Sequence, residues 1–131
     1  PIKKNKLTEA IIDNEGNLNK IINIVHPLIK LRMNSFIKKN KNKKFVILDI
    51  PLLMENKINR KNDILIFVEA KKNDINKRLK KRYKDNLVIV NKFRKFQLSV
   101  ETKKKKSDFI IKNNFKDNNV KKSVKNILKF F

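Results

Sequence analysis

At 131 residues the chain is the size of one domain and long enough to bury a core. Its 35 Lys and Arg against 12 Asp and Glu give a formal charge of +23, so it attracts polyanions, and does so less at high salt. The absence of cysteine excludes disulfides, thiolate metal sites and a cysteine nucleophile; the single His excludes a His-based metal cluster; and Gly16, the only glycine, leaves no Gly-rich phosphate loop within these residues.

Residues 5–13 read as a short helix. Asn17 or Asn19 is placed to cap a second one carrying Leu18, Ile21, Ile22 and Ile24. His26-Pro27 interrupts it, because proline disfavours the helical conformation in the residue before it. Proline is welcome in a first turn, so a new helix is expected over 27–39, with Leu28, Leu31, Met33 and Phe36 among its apolar positions. Lys38 to Lys44 is a basic loop.

Residues 44–50 then form a continuous apolar run, the pattern of a strand buried on both faces of a parallel sheet. Pro51, which has no backbone N–H, ends it. Asp49 stands where that strand emerges, and open α/β sheets bind ligands at the carboxyl ends of their strands. The alternative reading of Asp49 is a cap on the following turn.

After a polar connection from Asn56 to Asn62, residues 63–68 read as a second buried strand. Lys71 to Lys84 reads as a strongly basic helix and Leu87 to Phe96 as another. Ser99 caps a short helix through Lys106, and residues 108–111 form a third strand. Residues 116–130 form an amphipathic helix bearing Val120, Val124, Ile127 and Leu128. Strands alternating with helices predict an α/β protein with a parallel sheet.

Thirty of the basic residues are Lys and five are Arg, beside 20 Asn and 18 Ile. This bias looks like the coding habit of an AT-rich genome, so the charge says less about nucleic acid than its size suggests. Arg78 and Arg82 are more informative. Four residues apart, they share one helix face. Where Lys is the default cation, an Arg reflects a demand for its planar fork, which binds phosphate oxygens bidentately. The other reading is a solvated basic face, since Lys77, Lys80, Lys81 and Lys84 surround the pair.

Taken in order, these pieces resemble the dephospho-CoA kinases, a family of P-loop kinases. His26-Pro27 is similar to that family's His-Pro pair, and Asp49-Ile50-Pro51-Leu52-Leu53 with Glu55 to its Asp-x-Pro-Leu-Leu-x-Glu signature. Val68-Glu69-Ala70 followed by Arg78 and Arg82 matches its strand-to-lid transition. Gln97 and the stretch Asp108 to Asn113 match the segment where the lid returns to the last core strand. Ile75 stands where the family commonly has Gln, and Phe93 where it has Arg. Arg94 is adjacent, but one residue turns a helical side chain by about 100°.

The resemblance implies a parallel-sheet P-loop kinase core, with three of five strands present, a helical substrate-domain remnant and a helical lid. Residues 1–43 would be part of the CoA-substrate domain and 44–70 core strands. Residues 71–107 would be the lid, and 108–131 the last core strand and terminal helix. It further implies transfer of the ATP γ-phosphoryl to the 3′-hydroxyl of dephospho-CoA, with Mg2+ accompanying ATP. Arg78 and Arg82 would close over ATP, with Asn113 on its adenine side; Asp49 would lie near Mg2+ or the substrate ribose. His26 and Glu55 would belong to the substrate domain, in contact with ligand or in a structural role such as His26 capping a helix. The family's phosphate loop and catalytic carboxylate have no counterpart here, so Pro1 is expected to open a truncated, inactive fragment. A cytoplasmic monomer without a membrane partner is expected, binding nucleic acid only through charge. The competing readings are another P-loop small-molecule kinase, or a basic nucleic-acid-binding protein using Tyr83, Phe93 and Phe96 beside its cations.

Overall fold

The computed structural model describes residues 3–83 and 87–131. They hold six helices and two strands in the order α1 (Lys4–Asp13), α2 (Glu15–Lys39), β1 (Ile66–Glu69), α3 (Lys72–Tyr83), α4 (Leu87–Lys95), α5 (Val100–Lys105), β2 (Phe109–Lys112) and α6 (Asp117–Leu128). Lys84, expected at the end of α3, lies outside the described residues. The chain divides into two compact units, Pro1–Asn59 with Asn91–Gln97, and Arg60–Val90 with Leu98–Phe131. The architecture is α/β with a small parallel sheet, as expected.

In the first unit, Asn14 separates α1 from α2. Its backbone is extended, and its side-chain oxygen accepts from the Gly16 N–H at 2.8 Å. It is therefore the N-cap of α2, in place of the expected Asn17 or Asn19. A Cβ on residue 16 would stand 3.0 Å from that oxygen, so glycine leaves the cap room to close. Asn17 instead reaches back, its amide donating to the Ala10 carbonyl at 2.9 Å. Lys92 donates from Nζ to the Ile11 carbonyl at 3.2 Å and to that of Ile12. A cation at the last carbonyls of α1 satisfies them and opposes the negative end of its dipole. Ile11, Leu18, Met33 and Ile58 are buried in this unit.

Two expectations fail here. The helix does not break at His26-Pro27; α2 runs through both for 25 residues. Proline's fixed φ is itself helical, so the loss is one hydrogen bond and a clash with the Asn23 carbonyl, spread over a long helix whose Pro27 is exposed. Accordingly His26 lies within the helix and not at the start of a new one. Of the apolar positions expected after the break, Met33 is buried, whereas Leu28, Leu31 and Phe36 are exposed.

The second failure is the strand at 44–50, which has no regular structure, so two strands form rather than three. Ile47 is 88% exposed, the opposite of a doubly buried strand position. A strand exists only through a paired neighbour, and among the described residues only β1 and β2 pair.

In the second unit those strands run parallel, Ile66 beside Phe109 and Glu69 beside Lys112. Asp108 closes the starting end: its N–H donates to the Leu65 carbonyl at 2.8 Å and its carboxylate accepts from the Leu65 N–H at 2.7 Å. Ile111 is buried, and α6 lies against β2. Just beyond α6, the rings of Phe130 and Phe131 stand 5.4 and 6.2 Å from that of Phe109, in the tilted and edge-on arrangements aromatic pairs prefer. Ser99 caps α5 as expected, accepting from the Thr102 N–H at 3.1 Å.

Asp63, expected to open the second strand, belongs to a turn instead; the strand begins at Ile66. Arg60 donates to one Asp63 oxygen through Nε at 2.9 Å and Nη2 at 2.7 Å, and its backbone N–H reaches the other at 2.8 Å. Burial pushes the Asp63 carboxyl up, but the Arg60 hydrogen bonds and charge together outweigh it and hold the group below the usual carboxylate range.

Two stability predictions follow from these contacts. An interior proline costs a helix about 3 kcal/mol against alanine, part of which is returned by its smaller unfolded-state entropy. Pro27→Ala should therefore stabilise the fold by about 1 kcal/mol or more and raise the thermal midpoint accordingly; a lower midpoint would show that the ring packs better than an unbroken helix. The folded pKa of Asp63 lies below its unfolded value of about 3.9, so its contribution is complete above that value and fades as pH falls through the lowered one. Asp63→Asn should cost less than about 1 kcal/mol at neutral pH. Denaturant titrations should show the gap closing in acid, and a gap unchanged near pH 2 would refute the linkage.

Candidate functional site

In the first unit, α2 and the turn that precedes Ile58 enclose an open cavity of about 400 Å3. One wall is a stretch of α2: Ile22, Asn23, His26, Pro27 and Lys30. Positions 22, 23, 26 and 30 recur at spacings of three and four, so one helix face supplies them. Asn56, Lys57 and Ile58 make the other wall. Their turn is tightly bonded: the Asn56 amide donates to the Leu52 carbonyl at 2.9 Å, and the Ile58 N–H donates to that of Leu53 at 3.0 Å. Leu52 and Lys57 adopt φ of 55° and 50°, a left-handed conformation rare without glycine. Buried Ile58 anchors the turn from below.

The lining is chemically one-sided. Among its lining residues two carry an ammonium group, one an imidazole and two an amide, and none carries a carboxylate. Such a set offers hydrogen-bond donors and positive charge to an anion rich in acceptor oxygens, such as a phosphate ester. His26 belongs to this cavity. Glu55 is half-buried in the adjoining turn and does not line it. Asp49 is exposed in the irregular stretch before Pro51, which forms no strand.

In the second unit, Arg78 and Arg82 stand one turn apart on α3, both exposed. The Arg78 guanidinium carbon lies 3.9 Å from the centroid of the Phe115 ring; Arg82 lies 5.5 Å from that of Tyr83. Asn113 follows β2 directly. Its N–H donates to the Glu69 carbonyl at 2.7 Å, and its side-chain oxygen accepts from the Phe115 N–H at 2.8 Å. Glu69 pairs with Lys104 of α5. The structure thus joins Arg78 to the Asn113 loop through Phe115. On α4, Phe93 is half-buried and Arg94 exposed, so the two neighbours face different ways.

Phe115, Lys30 and Lys57 escape sequence reading. Any single lysine is hidden among 30, and Phe115 is one of nine phenylalanines. The one available signal is Asn113-Asn114, since paired asparagines favour side-chain-closed turns. No cluster of three or more potential metal ligands occurs among the described residues. Mg2+ bound with a nucleotide needs only one or two carboxylates beside the phosphates, so an exposed carboxylate such as Asp49 fits that donor set. No helix among the described residues is long and apolar enough to cross a membrane.

The family described as dephospho-CoA kinase matches residues 1–119. The chain is similar to the dephospho-CoA kinase of Fusobacterium nucleatum subsp. nucleatum, with 35% identity over 114 residues, covering 86% of this chain and 58% of the relative. That of Wolbachia pipientis wMel is 32% identical over 129 residues, covering 97% and 66%. That of Rickettsia bellii is 29% identical over 123 residues, covering 94% and 64%. The chain therefore spans roughly three-fifths of the length of these relatives.

Proposed function

The chain belongs to the dephospho-CoA kinase family, and on that premise we propose that it serves ATP-dependent phosphorylation of dephospho-CoA at the ribose 3′-hydroxyl. The structural observation that supports this most is Arg78 and Arg82 on one face of α3, with Arg78 seated beside the loop that follows β2. Phosphoryl transfer depends on positioning and on neutralising phosphate charge. The two arginines supply fixed positive charge and bidentate donors to the ATP phosphates. Asn113 lies on the nucleotide side, held by the Glu69 carbonyl.

The cavity beside His26 takes dephospho-CoA. Lys30 and Lys57 bind its phosphate oxygens, while Asn23, Asn56 and His26 donate or accept hydrogen bonds at its polar atoms. Glu55 steadies the turn that carries Asn56 and Lys57. Asp49 would hold Mg2+ or meet the substrate ribose; such an ion, when bound with ATP, would supply neutralisation of phosphate charge. The protein acts in the cytoplasm as a monomer, and nucleic acid binds its charged surface only non-specifically.

Calorimetric titration of paired variants tests this reading. Replacing Lys30 and Lys57 by Gln should weaken dephospho-CoA about tenfold or more, by loss of charge-assisted hydrogen bonds, and leave ATP unchanged. Arg78→Gln with Arg82→Gln should do the reverse. If both pairs weaken both ligands alike, and binding of either collapses at moderate salt, the chain is a general polyanion binder and the proposal fails.

A further inference from the structure

We propose that Phe115 is a positioning residue for Arg78: its ring holds the guanidinium by one face and leaves the N–H edge free for a polyphosphate oxygen. The identity of the natural polyphosphate, ATP, rests on the function proposed above; the stack itself does not.

The Arg78 guanidinium carbon is 3.9 Å from the Phe115 centroid, well inside the ~6 Å reach of a cation–π contact. Lys44 over Phe45 and Arg82 over Tyr83 are looser, at 5.3 and 5.5 Å. A guanidinium is flat and carries its donors in its plane, so a ring against the face leaves the fork available. The ion pairs seen between described side chains, Arg60 with Asp63 and Lys104 with Glu69, do not involve Arg78.

The loop is constructed to present that ring. Asn113 extends the ladder by one bond to the Glu69 carbonyl. Its side chain then accepts from the Phe115 N–H, and the Asn114 side chain accepts from the Lys116 N–H at 3.1 Å. Two successive side-chain-closed turns hold Phe115 at φ 60°, a conformation phenylalanine rarely adopts. An apolar ring kept 37% exposed in a strained turn, against an arginine, is explained by what it does to that arginine. Unstacked, Arg78 would sample many rotamers among Lys77, Lys80, Lys81 and Arg82. The ring removes that freedom before the anion arrives, which lowers the ordering cost of binding.

Two readouts on the full chain decide the matter. The first is the side-chain Nε–H spectrum of its five arginines by nuclear magnetic resonance, with the Arg78 signal assigned by its loss in Arg78→Gln. Ring current should displace that signal in the native chain and in Phe115→Tyr, and Phe115→Leu should return it to the position of the others. The second is calorimetric titration with inorganic tripolyphosphate. Phe115→Leu should weaken binding about threefold to tenfold. Phe115→Tyr should restore it, and in the Arg78→Gln background Phe115→Leu should have no further effect. An undisplaced Arg78 signal, equal affinities, a loss that persists without Arg78, or no tripolyphosphate binding by the native chain would each overturn the inference. A native chain that binds tripolyphosphate through Arg78 and Phe115 but not dephospho-CoA would sink the kinase reading and leave this one standing.

Discussion

Parallel pairing brings the carboxyl ends of both strands to the same edge of a ladder. In the second unit that ladder is only four residue pairs long, Ile66–Glu69 against Phe109–Lys112, yet it sets where the segments leaving both strands begin. The chain leaving β1 enters α3, which carries Arg78; the chain leaving β2 enters the turn that carries Phe115. A slip of one residue would carry side chains to opposite faces. The register is fixed at both ends by side chains or their immediate neighbours: Asp108 exchanges two hydrogen bonds with Leu65 at the start, and Asn113 bonds to the Glu69 carbonyl at the finish.

Carboxylates are scarce in this protein, and those the structure shows engaged do architectural work. Asp63 binds Arg60 in the turn before β1, Glu69 binds Lys104, and Asp108 closes the ladder. The lysines far outnumber them, so most cations face water and repel one another weakly. Against that background, the informative cations are the ones with a directed contact. Lys92 is spent on the last carbonyls of α1, Arg60 on Asp63, and Arg78 on an aromatic face. Of these, Arg78 is the one directed at a ring rather than an oxygen.

Legibility in the sequence followed the range of the interactions concerned. Helices α1, α3, α4, α5 and α6 were readable because periodicity and the Ser99 cap act within a few residues. The long helix α2 was misread at Pro27, because a local rule about proline was set against the cooperativity of 25 residues and lost. The apolar run at 44–50 was misread for the converse reason. Its composition suits a buried strand, but strandness is a property of a pair, and the ladder among the described residues joins β1 to β2 alone. Of the site residues, Arg78 and Arg82 stood out as rare arginines in a lysine-rich chain. Phe115, Lys30 and Lys57 did not, since their surroundings are made by residues distant in sequence.

By itself the sequence determined the α/β class, the order of most helices, the shared helix face of the two arginines and the family resemblance, because each depends on residue type at short spacing. Only the tertiary structure decided that two strands pair, that α2 runs unbroken past His26, that Lys30 and Lys57 share a cavity, and that Phe115 seats Arg78. The physical reason is the same in each case. A hydrogen-bond ladder, a cavity wall and a ring stack are each made by groups that the chain must first bring together, and no local pattern records which groups those are.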